Sequence, residues 1–129
     1  MGAHTTNYTD TFIEVAVDCP VAQAEEPPLR ASPSVARVQF DMLVNAPYRH
    51  TSDDVVYESQ GRRKGLSREE FFAKGQPCLR ASPLTKRYGW GVHSDSRGRI
   101  ALVPAGSPRY RELADDPSLT HVTAMRSRR

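Results

Sequence analysis

Residues 86–103 read KRYGWGVHSDSRGRIALV, and this stretch decides the fold. Over residues 86–93, aromatic and aliphatic side chains alternate with glycine and histidine, which is the two-residue period of a β-strand. Residues 94–98, SDSRG, are typical of a turn, and residues 99–103 return as a second strand. The stretch therefore predicts a β-hairpin in which Trp90 packs in the core.

Residues 9–17, TDTFIEVAV, predict a further strand, because β-branched side chains recur along one of its faces. The strand ends before Pro20, which cannot donate a ladder hydrogen bond. With the hairpin it predicts a small antiparallel sheet. Several short helices, packed mainly on one face of that sheet, complete an α+β fold.

Helix starts are marked by serine followed by proline or by acidic residues, because the serine side chain caps the first turn and carboxylates favour its positive end. The predicted starts are Ser32-Pro33, Ser52-Asp53-Asp54, Ser67 with Glu70, and Ser107-Pro108. The second of these opens a helix over 53–62, although the valines there also suit a strand. The apolar spacing of Leu119, Val122 and Met125 predicts a short helix over 118–125.

The chain has 129 residues, with 18 Lys and Arg against 15 Asp and Glu, and a formal net charge of +3. The length predicts one domain over 1–129, with flexible ends at 1–8 and 126–129. So mild a charge does not by itself indicate nucleic-acid binding. The basic run at 62–64 and the arginines of the tail leave a nucleic acid as an alternative partner.

Two cysteines, Cys19 and Cys78, are too few for a disulfide framework, and no cysteine–histidine spacing is typical of zinc. The chain has neither a phosphate-binding loop nor a dinucleotide fingerprint, and no apolar run is long enough to span a bilayer. We therefore expect a cytoplasmic protein with reduced thiols, no metal, no cofactor and no membrane partner. The sequence leaves the oligomeric state open.

The candidate binding residues lie in the segment 74–91, KGQPCLRASPLTKRYGWG. Cations, glycines and prolines are concentrated there in a connection too long for a tight turn, and such loops are often functional. We expect residues 74–86 to lie across one end of the sheet. Guanidinium and ammonium groups bind carboxylate or phosphate oxygens, so the leading hypothesis is a binding module for an anionic small molecule or a protein partner. The ligand-binding candidates are Arg80, Ser82, Lys86, Arg87 and Tyr88.

The alternative hypothesis is a thiol-dependent enzyme in which Cys78 is the nucleophile. Arg80 or Lys86 would lower the pKa of its thiol, and His93 would serve as the base if the hairpin folds back on the loop. A buried, inert cysteine is the stronger interpretation, because Leu79 beside it favours the core. Whether the protein is an enzyme stays open.

Four stretches together resemble a known family. They are residues 7–20 (NYTDTFIEVAVDCP), 47–58 (PYRHTSDDVVYE), 74–91 (KGQPCLRASPLTKRYGWG) and 124–129 (AMRSRR). Across nearly the whole chain they are similar to a small bacterial family of uncharacterised proteins, classed as a domain of unknown function. The resemblance implies a single-domain bacterial protein and no mechanism. Residues 58–61, ESQG, are more polar than the family pattern, in which an apolar helical face is expected.

Overall fold

A five-stranded mixed sheet forms the centre of the protein in the computed structural model, which describes residues 4–127. The strands are β1 (Thr11–Glu14), β2 (His50–Thr51), β3 (Trp90–Ser94), β4 (Arg99–Pro104) and β5 (Thr120–Thr123). Their order across the sheet is β2-β4-β3-β1-β5, and all neighbours are antiparallel except β1 and β5, which are parallel.

The predicted hairpin is confirmed as strands β3 and β4, in which Val92 pairs with Leu102. The predicted N-terminal strand is also confirmed, since β1 pairs with β3 and places Ile13 opposite Val92. It is shorter than the sequence predicts. Its end is set by the chain turning away from the ladder, because the amide of Ala16 donates to the carbonyl of Thr85 at 2.9 Å.

The predicted helix over 118–125 is wrong, because strand β5 occupies that segment. Its residues pair in parallel with β1, so that Val122 lies opposite Ile13. The apolar spacing suggested one helical face, but these side chains do not share a face in the structure. Leu119 packs on one face of the sheet, Val122 packs on the other, and Met125 is exposed. The β-branched composition of Thr120–Thr123 favours the strand that forms.

Within residues 4–127, five α-helices pack against the sheet: α1 (Val35–Leu43), α2 (Ser52–Val56), α3 (Arg68–Phe72), α4 (Pro83–Lys86) and α5 (Pro108–Ala114). A π-helical turn (Tyr57–Gly61) and a 3-10 turn (Arg62–Lys64) extend α2, and another 3-10 turn (Leu79–Ala81) precedes α4. The helix predicted over 53–62 is therefore helical throughout. Ser67 and Ser107 cap helices as predicted, whereas α1 is capped by Ser34 and not by Ser32.

The two faces of the sheet bury different cores. On one face Ile13, Val92 and Ile100 pack against side chains such as Phe71 and Leu79 from the segments before β3. A smaller cluster of Ala36, Phe40 and Leu84, from α1 and α4, extends this side. On the opposite face Phe12 and Val103 pack against Leu113 of α5. The structure confirms an α+β fold with its helices mainly on one face.

Segment 74–86 lies across the carboxyl ends of β1 and β5. Beyond the end of β1, the amide of Ala16 donates to the carbonyl of Thr85 at 2.9 Å. Beyond the end of β5, the amide of Met125 donates to the carbonyl of Arg80 at 2.8 Å. These bonds fix the segment in place, and α4 within it carries Lys86 at its last residue.

Residues near both chain ends, which the sequence assigned to flexible ends at 1–8 and 126–129, form hydrogen bonds with the rest of the protein. The Thr6 hydroxyl lies 2.8 Å from the hydroxyl of Ser52 and donates to the carboxylate of Asp53 at 2.8 Å. At the other end, the amide of Ser127 donates to the carboxylate of Asp18 at 3.0 Å. Residues 1–3 and 128–129 lie outside the described residues.

Candidate functional site

A cavity of about 250 Å³ opens beside the start of α1 and the end of α4. We call it the cationic cavity, and its lining residues are Arg30, Ser34, Val35, Ala36, Pro83, Lys86, Arg87 and Tyr88. Three of these eight described residues carry a positive charge, and none of the eight is acidic. The sequence predicted Lys86, Arg87 and Tyr88 as binding residues, and the structure brings these three together in one concavity.

Local backbone bonds position the cations. Pro83 opens α4, and its carbonyl accepts hydrogen bonds from the amides of Arg87 and Tyr88 at 2.8 and 3.1 Å. The carbonyl of Tyr88 in turn accepts from the amide of Glu25 at 2.8 Å, which anchors the extended segment that contains Arg30. Trp90 holds the same segment, because its indole Nε1 donates to the carbonyl of Glu25 at 2.8 Å.

The three cations of the cavity have no side-chain hydrogen bond or ion pair within residues 4–127. Nearby Arg37 differs: it pairs with Glu26 at 2.6 Å and with Asp41 at 3.0 Å. Those hydrogen-bonded carboxylates raise the pKa of Arg37 above its ordinary value. The charge of Arg37 is therefore balanced inside the protein, whereas Arg30, Lys86 and Arg87 remain available to a ligand.

The start of α1 adds positive potential to the cationic cavity. Val35 and Ala36, the first two helical residues, line the cavity, and amides of a first turn have no intrahelical acceptor. The hydroxyl of Ser34 caps the helix by accepting a hydrogen bond from the amide of Arg37 at 3.1 Å. The uncapped amides and the three cations favour the same kind of ligand, an anion.

A second cavity, of about 190 Å³, adjoins the first and shares Val35 and Pro83 with it. We call it the thiol cavity, and its other lining residues are Gln39, Val56, Gln60, Pro77, Cys78, Ala81 and Ser82. None of its lining residues is charged. Two more of the sequence-predicted residues, Cys78 and Ser82, therefore lie along the same groove as Lys86, Arg87 and Tyr88.

Buried hydrogen bonds fix one wall of the thiol cavity. The Ser82 hydroxyl donates to Oε1 of Gln39 at 2.5 Å, and Nε2 of Gln39 donates to the hydroxyl of Ser59 at 3.1 Å. Ser82 also caps α4 by accepting from the amide of Leu84 at 3.1 Å. The Ser82 hydroxyl therefore already has hydrogen-bond partners within the protein, and its role at the cavity is to hold the wall in place.

Cys78 is half-buried, and its Sγ lies 3.4 Å from the phenolic oxygen of Tyr8. The hydrogen bond to Cys78, followed by burial, raises the pKa of Tyr8. Leu79, next in the chain, is fully buried in the main core. The thiol thus lies at the boundary between the core and the cavity, with a neutral phenol as its hydrogen-bond partner.

Two predicted residues do not join this groove. Nε of Arg80 donates to the backbone carbonyl of Thr123 at 2.7 Å, so this cation holds β5. His93 lies on the α5 face of the sheet, where it pairs with Phe12, whereas Cys78 lies on the opposite side. The hairpin does not bring His93 to Cys78, because residues 74–86 cross the sheet end on the other face.

The basic run that suggested a nucleic acid lies in the 3-10 turn Arg62–Lys64, outside both cavities. Arg62 forms a surface ion pair with Glu58 at 2.9 Å, and Arg63 and Lys64 are exposed. Of the basic tail, Arg126 is exposed, and Arg128 and Arg129 lie outside the described residues. The basic run Arg62–Lys64 therefore lies apart from the residues that line the two cavities.

A larger cavity, of about 400 Å³, lies beside α1 and α2 and is lined by Val38, Met42, His50, Asp54, Glu58 and Arg68. Its charges are balanced within the protein. Arg68 pairs with Asp54 at 2.9 Å, and Glu58 pairs with Arg62. The pKa of Asp54 is lowered. Burial opposes that shift, but the backbone bond from Thr51 and the Arg68 contacts outweigh it. This cavity therefore has less unbalanced charge to offer a ligand than the cationic cavity.

Arg30 is the contributor that sequence reasoning missed. It belongs to a proline-rich connection with no local pattern that indicates a site. Its position depends on the bond between Glu25 and Tyr88, which joins segments far apart in the chain. Sequence reasoning also missed the first residues of α1 as part of the site, because it placed the start of that helix two residues too early.

The comparisons with known proteins agree with the resemblance noted from the sequence. A family model described as a family of unknown function (DUF6157) matches residues 3–129. No curated protein and no solved structure matches the chain. Within residues 4–127, no helix has both the length and the apolar character that crossing a membrane requires.

Proposed function

The chain belongs to this family of unknown function, and we propose that it is a binding module for an anionic small molecule held in the cationic cavity. One observation carries the proposal: Arg30, Lys86 and Arg87 line one concavity, and none of the described residues that line it is acidic. Uncompensated like charges repel one another, so an anion that joins them is favoured both by direct contact and by relief of that repulsion.

The chemistry of the three side chains favours phosphate or carboxylate oxygens. The guanidinium groups of Arg30 and Arg87 offer paired donors, and the ammonium group of Lys86 offers a compact charge. The first-turn amides of α1 add donors from the helix side of the cavity. Tyr88 supplies an aromatic surface beside these charges. A small molecule is favoured over a protein partner, because the cations line a concavity and not a flat surface.

Calorimetric titration with inorganic phosphate and with a panel of phosphorylated metabolites tests the proposal. The variant Arg30→Ala/Arg87→Ala removes two cavity cations. The control Arg63→Ala/Arg97→Ala removes two exposed guanidinium groups from outside both cavities. Because a hydrogen bond to a charged group contributes about 1.5–3 kcal/mol, we expect the first variant to bind phosphate at least about ten-fold more weakly. The control should bind like the wild type.

If both double variants bind phosphate equally weakly, the proposal is wrong, because the loss of affinity would then follow from the lower net charge and not from the cavity. The same titrations with a short single-stranded oligonucleotide examine the alternative partner. Two results together would favour nucleic-acid binding over a small-molecule site. The wild type would bind the oligonucleotide with a steep salt dependence, and both double variants would bind it equally poorly.

We also propose a cytoplasmic location in a bacterium. The support is that Cys19 and Cys78 are both free thiols, which is the usual state of cysteines in a reducing compartment. The family resemblance supports a bacterial source.

A further inference from the structure

We infer that the ligand is elongated, with its anionic group in the cationic cavity and an uncharged, hydrogen-bonding body that extends into the thiol cavity as far as Cys78. This inference rests on the proposed function, because it assigns the second half of the same groove. The ligand class it names is a phosphomonoester of a small uncharged alcohol that carries hydroxyl or amide groups.

The first argument is continuity. Val35 and Pro83 line both cavities, and each is the first residue of a helix, α1 and α4 respectively. Neither side chain carries a polar group, so the shared wall offers no competing charge between the two cavities. A ligand seated on the cations can therefore pass over this wall without displacing an ion pair.

The second argument is size. The cationic and thiol cavities measure about 250 and 190 Å³. Each alone is smaller than a typical small-molecule pocket, which measures roughly 300–1,000 Å³, but the two together fall within that range. The groove as a whole thus fits a small organic anion better than it fits an inorganic one.

The third argument is the division of charge. Three cations line the cationic cavity, whereas every described residue that lines the thiol cavity is uncharged. Arg80 lies near Tyr8, the partner of Cys78, but it does not line that cavity, and its Nε already donates to the carbonyl of Thr123. A second ionised group at that end would lose its hydration without gaining a partner. The part of the ligand that enters the thiol cavity is therefore uncharged.

The fourth argument is that Gln60 can hydrogen-bond to the uncharged part of the ligand in the thiol cavity. Its side-chain amide is half-buried at the thiol cavity and has no hydrogen-bond partner within residues 4–127. The other glutamine of the cavity, Gln39, has both ends of its amide engaged by Ser82 and Ser59. Gln60 belongs to the π-helical turn Tyr57–Gly61, and turns of this kind are frequent at functional sites. Its amide can donate to and accept from hydroxyl or amide groups of the ligand.

Cys78 provides a direct test, in a Cys19→Ser background where it is the single thiol. Alkylation with N-ethylmaleimide places bulk in the thiol cavity and leaves the cations untouched. The probes are inorganic phosphate, glycerol 3-phosphate, glucose 6-phosphate and adenosine monophosphate. We expect at least one ester to bind about ten-fold more tightly than phosphate, to slow the alkylation of Cys78, and to lose this advantage once Cys78 is alkylated.

A second variant tests the polar contact independently of the thiol. Gln60→Ala should reduce the ratio of ester affinity to phosphate affinity at least three-fold, whereas Gln23→Ala, an exposed glutamine outside both cavities, should leave the ratio unchanged. If phosphate binds but no ester binds more tightly or protects Cys78, the elongated ligand is wrong and the anion site stands. If neither phosphate nor any ester binds, the proposed function itself fails.

Discussion

The phenolic oxygen of Tyr48 lies 2.6 Å from Nδ1 of His93, and the two rings meet edge to face with centroids 5.5 Å apart. Tyr48 has a φ of +61°, a left-handed conformation that bulky residues rarely adopt. The amide of Tyr48 is also fixed, because it donates to the carbonyl of Ile100 at 2.9 Å. This strained turn therefore holds the phenol against the imidazole on the α5 face of the sheet.

Replacing Tyr48 with phenylalanine should lower the free energy of unfolding by about 0.5–1.5 kcal/mol, because it removes the polar contacts of the phenol with His93 and Arg109 and keeps the ring. Urea denaturation followed by circular dichroism measures the change. Tyr88→Phe is the matched control, since the Tyr88 hydroxyl has no partner within residues 4–127. Equal stability of the two variants would show that the polar contacts of the Tyr48 phenol contribute nothing to stability.

The pKa of His93 lies below its ordinary value, chiefly because the imidazole is partly buried and secondly because Arg109 is nearby. The neighbouring carboxylates of Asp10, Asp95 and Asp116 oppose this shift without cancelling it. The folded protein therefore favours the neutral imidazole, and the unfolded chain binds the proton first as the pH falls. Stability should decrease as the pH falls below about 6.5, the ordinary histidine value.

Unfolding free energies measured from pH 8 to pH 5 should show this loss, and His93→Gln should make the slope between about pH 6.5 and pH 5 shallower. Titration of the His93 ring protons by NMR shows directly whether the pKa of His93 is lowered in the folded protein. A midpoint at or above the value for a free imidazole would contradict the expected pH dependence.

Gly91→Ala should destabilise the protein by about 1–3 kcal/mol, the usual cost of overpacking a core. A Cβ at this position would lie 2.9 Å from ring carbons of Phe12 and Tyr110, which pack on the strand from the α5 face. Thermal and urea unfolding measure the loss. The comparison is Gly75→Ala, where the added Cβ meets only Nδ1 of His4 at 3.7 Å. If the two variants are equally stable, the rings can move aside.

Gln39→Leu should lower the free energy of unfolding by about 1–3 kcal/mol, because the buried hydroxyl of Ser82 loses its acceptor and the wall between α1 and α4 loses its polar link. Gln23→Leu, on the exposed surface, should change stability by less than about 0.5 kcal/mol. Urea denaturation of both variants distinguishes them. A fully stable Gln39→Leu protein would mean that the Ser82 hydroxyl finds another acceptor.

Much of the fold follows from local patterns. The hairpin was predictable because alternation along β3 and β4 and the turn between them lie in one continuous stretch. Ser67 and Ser107 were predictable as caps, because a cap needs only the next three residues. At Ser32 the same rule was wrong, because Pro33 is followed by a second serine and the helix begins after that one.

The β-branched residues of strand β5 were a local signal for a strand, but the apolar spacing around them favoured a helix. The pairing partner of β5, which is β1, lies at the opposite end of the described chain, and the parallel pairing itself leaves no local signal. Leu119 and Val122 appear as one helical stripe in the sequence, yet they enter cores on opposite faces of the sheet.

The candidate site was predictable where its residues are contiguous. Lys86, Arg87 and Tyr88 follow one another, so the end of α4 and the two residues after it bring them to the same cavity. Arg30 reaches that cavity only through tertiary contacts, and the proposed pairing of Cys78 with His93 required knowledge of which sheet face each residue occupies.

The position of β1 between β3 and β5 has a consequence for biosynthesis. Thr11–Glu14 precedes both of its neighbours in the chain, and these are complete only when translation has passed Ser94 and then Thr123. The strand must therefore wait, without its hydrogen-bonding partners, while most of the polypeptide emerges. Such long-range closure slows folding, and a chain that ends before the last strand would leave one side of β1 as an unpaired edge, open to pairing with other chains.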